Sequence, residues 1–293
     1  MRPEVLHPAT LSDALAALAA YGEEARPLAG GTALVLLLHH RLIAPRVLVC
    51  LEEVRELRGL QFAEEGIQIG AMVRLQELAR SPQIRERLPA LALACQEVGN
   101  IRIRNQATLG GNLAEADYAS DPPIALMALE AILEVHGPNG PREIPIAEFF
   151  RGPYTTALEP GELITAVRIP LPPPGSRMTY LKFRTRSAED RPCVGVAAVV
   201  AFEDGICREL RIAVGAACET PQRRPEVERL AVGRPLTEAV IQAIAQGYAD
   251  QIETLNDLRG SAAYRKRMIE VHVRRALEEV RDGHRSFGAD AGC

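Results

Sequence analysis

"RNQATLGGNLAEADYASD", residues 104–121, sets Gly110 and Gly111 side by side among otherwise ordinary side chains. Adjacent glycines let a chain take positive φ and leave successive N–H groups pointing into one concavity, which suits anionic oxygens. A second doublet, Gly30-Gly31, stands in "PLAGGTALVLLL", residues 27–38, between a short strand near Pro27 to Ala29 and a helix expected from Thr32 to His40. That helix would add its N-terminal dipole to the first turn. Charge-assisted hydrogen bonds from such groups are worth roughly 1.5–3 kcal/mol each, so two turns of this kind suffice for two phosphates. Each doublet alone is also what an ordinary tight turn requires. Neither lies in G-x-G-x-x-G after a strand or in G-x-x-x-x-G-K-S/T, which disfavours Rossmann and P-loop sites.

Outward from these turns the chain divides into three parts. Residues 1–55 read as a small α/β unit: a helix capped by Thr10 or Ser12 and stopped at Gly22, the strand and glycine turn, the second helix, and "RVLVCL" as a buried strand. Residues 56–175 begin with two strands around Glu65-Gly66, followed by helices near Leu75 to Arg80 and Ile84 to Val98. The glycine stretch comes next. "PPIALMALEAILEVHGPNGPREIPIAEFF" then supplies a helix, a strand, a turn and a short helix, and "LITAVRIP" closes the part as a strand. "LPPPGSR", residues 171–177, is the linker, because three consecutive prolines can neither continue a helix nor pair centrally in a sheet. Residues 176–285 read as strands followed by two long helices, and 286–293 as a loose tail. The fold class is α+β with α/β elements.

Composition narrows the function. With 47% hydrophobic and 25% charged residues the chain has the balance of a packed globular protein. A net charge of −4 with interspersed signs lacks the basic stripe of a nucleic-acid binder. The longest apolar run, "TALVLLL", is far short of the ~20 residues of a transmembrane helix, and "MRPEVLHPATLSD" lacks the order of a signal peptide, so a cytoplasmic location is expected. Six scattered cysteines form no C-x-x-C pair, and His39-His40 point to different faces of a helix; no metal site is expected.

"PLAGGTALV", then "IRNQATLGGNLAEADYASDPPIALMALEA", "LITAVRIP" and "YLKFRTRSAEDRPCVGVAAVV", in this order and spacing, resemble the FAD-binding medium subunit of molybdenum hydroxylases. Carbon monoxide dehydrogenase medium subunits and the flavin domain of xanthine dehydrogenase are its familiar members. The likeness runs from the first helix to the last. It implies a PCMH-type FAD-binding fold of two N-terminal subdomains, with a C-terminal β-then-α domain of the CO dehydrogenase flavoprotein type.

The resemblance also implies a site. The pyrophosphate of FAD would lie on both glycine turns, with Ala29, Gly30, Gly31, Thr32, Ala33 and Leu34 matching the first and Ala107, Thr108, Gly111 and Asn112 the second. Asp121 matches an acidic residue on the ribityl or ribose side, and Ile164 and Lys182 match positions beside the isoalloxazine ring. The side-chain types agree: Thr108 and Asn112 can donate to oxygens, Asp121 can accept from hydroxyls, and Lys182 can favour a more negative, reduced flavin. Asp121 before Pro122-Pro123 is equally suited to capping a helix, and Lys182 to a solvated strand position. Ala33 stands where many relatives have serine or aspartate. Arg191, after Asp190, stands where relatives such as the carbon monoxide dehydrogenases have an aromatic residue.

By the same resemblance the chain is an oxidoreductase subunit that passes electrons, with no catalytic acid, base or nucleophile of its own. Its expected partners are a 2Fe–2S small subunit and a molybdopterin large subunit, in a heterotrimer that itself dimerises; no cysteine pattern here would hold an iron–sulfur cluster. A stand-alone PCMH-type FAD oxidoreductase, and a scaffold that has lost its flavin, are the other readings.

Overall fold

The computed structural model describes residues 2–283; the tail 286–293 lies outside the described residues. From the N-terminus run β1 (Glu4–Leu6), α1 (Leu11–Tyr21), β2 (Ala25–Leu28), α2 (Leu34–His39) and β3 (Val47–Cys50). There follow β4 (Leu60–Phe62), β5 (Gly66–Gly70), α3 (Leu75–Arg80), α4 (Pro82–Arg87), α5 (Pro89–Gln96), α6 (Ile101–Arg104), α7 (Leu109–Glu115) and α8 (Pro122–Ala128). Then come β6 (Ile132–Gly137), β7 (Gly140–Pro145), α9 (Ile146–Phe149), β8 (Phe150–Gly152), β9 (Thr155–Thr156) and β10 (Leu163–Pro170). The chain continues through β11 (Arg177–Phe183), β12 (Val194–Glu203), β13 (Ile206–Gly215), α10 (Pro225–Glu228), α11 (Glu238–Gln251) and α12 (Ala262–Asp282).

The compact units are interleaved in sequence rather than contiguous. One comprises the chain up to Glu77, Asn100–Asp117 and Glu130–Pro170; the other comprises Leu78–Gly99, Tyr118–Leu129 and the chain from Leu171. The apolar character of the two excursions gives the reason. Every residue of α8, "PPIALMA", is buried, as are five residues of α5. A helix apolar on all sides must be covered on all sides.

In the first unit β3 is buried throughout and lies between β1 and β2, parallel to both. The sequence reading contains no strand before α1; Glu4–Leu6 becomes β1 because β3 presents an edge there for main-chain pairing. Of the two candidate caps, Thr10 is the one used, its hydroxyl accepting from the Asp13 N–H at 3.1 Å. Ala14 and Leu18 of α1 pack with Val47, Val49, Leu57 and Met72. A second sheet, all antiparallel, has the order β4-β5-β10-β6-β7. The expected helix from Ile84 to Val98 is divided, because Pro89 lacks an N–H and starts α5 at its first position.

The second unit is built on the antiparallel sheet β11-β12-β13. Even-numbered residues of β12 from Val194 to Val200 join Ile212, Val214 and residues of α11 and α12 in one core. The opposite face meets α8, whose Ile124 lies against Gly195 and Gly215. Burial on both faces explains why β12 reads as the unbroken apolar run "VGVAAVVAF". Arg265 of α12, fully buried, donates to the carbonyls of Cys193 and Ala216 and pairs with Asp257.

Candidate functional site

In the first unit the loop between β2 and α2 carries the first glycine doublet. A Cβ on Gly30 would lie 1.9 Å from the Gln106 carbonyl oxygen and 3.0 Å from Ala107 Cα, so the backbone before the second doublet runs directly against this turn. Gly31 has φ +70°, which a side chain would strain. Of the two doublets, only the first has the expected positive φ. The loop from Ala29 to Leu34 is partly exposed. Among the described residues, none accepts a hydrogen bond from the backbone N–H of Gly30, Gly31, Thr32, Ala33 or Leu34.

Helix α2 starts at Leu34, with Ala33 in the cap position, two residues later than Thr32. It has six residues, none of them buried. The anion-binding capacity therefore rests on the row of amides rather than on a long helix dipole.

The second doublet is small for a different reason. Gly110 and Gly111 lie in the first turn of α7 rather than in an open turn. The N–H of Leu109 donates to the Val73 carbonyl at 2.9 Å and that of Gly110 to the Ala71 carbonyl at 2.8 Å. Thr108 caps the helix, its hydroxyl oxygen accepting from the Gly111 N–H at 3.1 Å, and the Asn112 N–H donates to the Thr108 carbonyl at 2.9 Å. The N–H groups that a helix N-terminus leaves open are thus satisfied within the chain. A Cβ on Gly110 would lie 2.6 Å from that of Ala71, and one on Gly111 would be 3.5 Å from that of Ala29. These glycines give close approach between backbones and bring α7 beside the first turn.

Ala107 and Thr108 are buried, while Gly111 and Asn112 are partly exposed. Ile164 is 5% exposed in β10, next to a bulge at Thr165. The Thr165 carbonyl accepts from the Ala71 N–H at 3.0 Å, linking β10 through Ala71 to Gly110.

Asp121 and Lys182 belong to the second unit. Neither alternative structural role applies to them. Asp121 stands before α8 but makes no capping bond, and the Lys182 side chain is 1% exposed rather than solvated. Lys182 Nζ donates to Asp121 Oδ2 at 3.0 Å and to the Glu97 carbonyl at 2.7 Å, and the Tyr180 hydroxyl donates to Asp121 Oδ1 at 2.7 Å. Burial pushes the Asp121 carboxyl up, opposed by the charge of Lys182. Burial, followed by the negative charge of Asp121, raises Tyr180 well above the ordinary phenol range. Arg184 pairs with Glu97 beside them. The sequence reading missed Tyr180, although it precedes Lys182 by two residues and so shares its face of the strand.

Asp190 accepts from the Ser187 N–H at 3.2 Å, and the following Arg191 is exposed. Cys50, Cys95, Cys193, Cys207 and Cys218 are all buried free thiols, with burial raising Cys218 to about 12. Among the described residues no cluster of His, Cys, Asp or Glu could hold a metal ion, and no helix is long and apolar enough to cross a membrane.

Known proteins share this architecture. The family described as the FAD binding domain in molybdopterin dehydrogenase matches residues 1–172, and the CO dehydrogenase flavoprotein C-terminal domain matches 179–280. The carbon monoxide dehydrogenase medium chain of Afipia carboxidovorans is 35% identical over 94% of this chain and 95% of its own. A xanthine dehydrogenase FAD-binding subunit of Escherichia coli is 32% identical over 93% of this chain and 94% of its own. Among solved structures, carbon monoxide dehydrogenase of Hydrogenophaga pseudoflava, in a form lacking the Mo-pyranopterin moiety, superposes with a TM-score of 0.92 at 33% identity, covering 96% of this chain and 97% of that one.

Proposed function

Because the chain belongs to the FAD-binding family of molybdopterin dehydrogenases, with FAD as its cofactor and oxidoreductase subunits as its relatives, we propose that it is the electron-transfer subunit of a molybdenum hydroxylase complex. The observation that carries this reading is the row of five amides from Gly30 to Leu34 for which no described residue is an acceptor, beside the contact of Gly30 with Gln106. Several N–H groups left open along one loop are a donor set suited to a diphosphate.

In this reading Ala29, Gly30, Gly31, Thr32, Ala33 and Leu34 hold the pyrophosphate of FAD. Ala107, Thr108, Gly111 and Asn112 form the adjoining wall, where the rotatable Thr108 hydroxyl still has a proton to donate after its oxygen has accepted from Gly111. Ile164, Asp121 and Lys182 are assigned to the ribityl and ring portions by family resemblance alone. Bound FAD supplies the redox chemistry; the protein supplies position and charge. No side chain of this chain is assigned a proton transfer.

Electrons would arrive from a 2Fe–2S small subunit, itself served by a molybdopterin large subunit, and leave to an external acceptor. That the relatives are a medium chain and a FAD-binding subunit supports partners of this kind. A cytoplasmic location belongs to the same proposal, supported by the free state of all described cysteines. The test is to titrate the purified full chain with FAD, then offer the loaded chain candidate substrates with and without the co-purifying chains. Saturable FAD binding with turnover only in the complex is expected. Turnover by the isolated chain would instead establish a stand-alone FAD oxidoreductase, and absence of flavin binding would refute the proposal.

A further inference from the structure

Between α11 and α12 the chain makes a closed turn, Asp257-Leu258-Arg259-Gly260. Its ends exchange two main-chain bonds, the Asp257 N–H donating to the Gly260 carbonyl and the Gly260 N–H to the Asp257 carbonyl, each at 3.2 Å. Asp257 Oδ1 accepts from the Arg259 N–H at 2.7 Å and from Arg265. Its Oδ2 accepts from the Tyr118 hydroxyl at 2.8 Å and from Arg259 Nη1 at 2.9 Å. The flanks are tied down as well: the Leu255 N–H donates to the Ala217 carbonyl at 2.9 Å, and the Ala262 N–H to Asn256 Oδ1 at 2.7 Å. Arg265, fully buried, roots this network in the second unit.

At the tip stands Leu258, 99% exposed. Single exposed leucines are common on protein surfaces, but two features set this one apart. Turn positions go mostly to Gly, Pro, Asn, Asp and Ser, for their backbone conformation or local hydrogen bonds, and a leucine supplies neither. The backbone beneath it is also braced from both sides, although its side chain touches almost nothing of its own chain. A second apolar group lies beside the turn: Tyr264 is 42% exposed, and its ring comes within 3.1 Å of where a Cβ on Gly260 would sit. The nearest charged groups, Asp257, Arg259 and Arg265, are paired with one another, so the tip is suited to apolar rather than ionic recognition.

We propose that Leu258, with Tyr264 beside it, is a docking knob that enters an apolar socket on a different subunit of the complex. The inference rests on the multi-subunit reading given above. A tip already held rigid has little freedom left to lose on binding, so burial of the leucine appears almost fully as affinity. A second copy of this chain is a poor occupant. Its surface cleft is lined by Glu23, Glu24, Arg26, Ile43 and Arg46, which sets charge where a leucine needs apolar walls. Two copies meeting tip to tip would cover far less than the roughly 800 Å² per partner of a stable interface. On a different subunit the knob is one anchor within a larger contact.

The test starts from the iron- or molybdenum-bearing subunits that co-purify with the tagged, FAD-loaded wild-type chain. These are separated from it, and their rebinding to wild type, Leu258→Ala and Leu258→Asp is measured by interferometry. Leu258→Ala is expected to raise the dissociation constant about 10- to 100-fold, and Leu258→Asp further, with the thermal midpoint of the isolated chain unchanged. The ratio of variant to wild type should persist between about 0.05 and about 0.5 M salt. Rebinding of Leu258→Asp as tight as wild type overturns the knob and leaves the multi-subunit reading intact. A wild-type chain that carries no other subunit through purification overturns both. A lowered thermal midpoint in Leu258→Ala shows that the leucine packs on its own chain and overturns the proposal. A wild-type dimer made monomeric by Leu258→Asp makes a second copy the occupant and also overturns it, as does a ratio that vanishes at high salt.

Discussion

Replacing Gly30 with alanine tests the cofactor loop at its most constrained atom. The added Cβ would sit 1.9 Å from the Gln106 carbonyl oxygen, and that oxygen belongs to backbone, so no side-chain rotation relieves the clash. Restoring ordinary contact requires about 1.5 Å of movement between the two segments. A displacement of that size takes an amide out of the roughly 2.7–3.2 Å range of an N–H···O bond. Misaligning two of the five loop amides would remove about 3–6 kcal/mol at roughly 1.5–3 kcal/mol per charge-assisted bond. The FAD dissociation constant should therefore rise by about 10²- to 10⁴-fold. Fluorescence titration of the purified chain measures it, with circular dichroism confirming that the variant is folded. Gly152→Ala serves as control, because a Cβ there meets nothing within 4 Å. A folded Gly30→Ala chain that binds FAD within about threefold of wild type would refute the reasoning.

Three further outcomes follow from the same geometry. Gly111→Asp should abolish flavin binding, since its Cβ would lie 3.5 Å from that of Ala29, which brings a negative side chain beside the phosphate loop, and 2.8 Å from the Thr108 hydroxyl oxygen, which disturbs that cap; retained yellow colour after gel filtration would contradict this. Gly195→Ala should destabilise the second unit by about 1–3 kcal/mol through overpacking against Ile124 and Tyr180, read as a lowered denaturation midpoint, and an unchanged midpoint would count against the packing described. Burial pushes the Asp257 carboxyl up, but the Arg259 N–H, the Tyr118 hydroxyl and Arg265 outweigh it and hold it at about 2, below its ordinary 3.8. A carboxylate lowered on folding stabilises above its unfolded value and loses that contribution as pH falls through the folded one. Thermal stability should thus decline from about pH 4 toward about pH 2, and less steeply in Asp257→Asn; equal slopes would exclude this role.

The first glycine turn was legible because its determinants are local: a strand, a doublet with one positive φ, and a helix follow one another within a dozen residues. The second was not. Gly110 and Gly111 become helical because Ala71 and Val73 supply carbonyls from far upstream, and a glycine doublet carries no mark of such distant partners. The same distinction separates Thr10, a local cap, from β1, which exists only through its pairing with β3. Asp121 and Lys182 could be singled out by resemblance, yet their burial against each other follows from the packing of α5 and α8 on β11 and β12. Their partner Tyr180 was within reach of strand alternation, since residues two apart share a face. The interleaving of the two units was legible only as an unusually apolar α8.

The most direct test is to isolate the full chain, tagged, from cells that make all its natural partners, and to measure bound FAD, iron and molybdenum in the same preparation. FAD bound to the chain, with iron and molybdenum co-purifying on other subunits and electrons from substrate reaching the flavin only when those subunits are present, is the predicted result. A chain that carries no flavin, or one whose flavin is reduced by substrate with iron and molybdenum absent, would contradict the account.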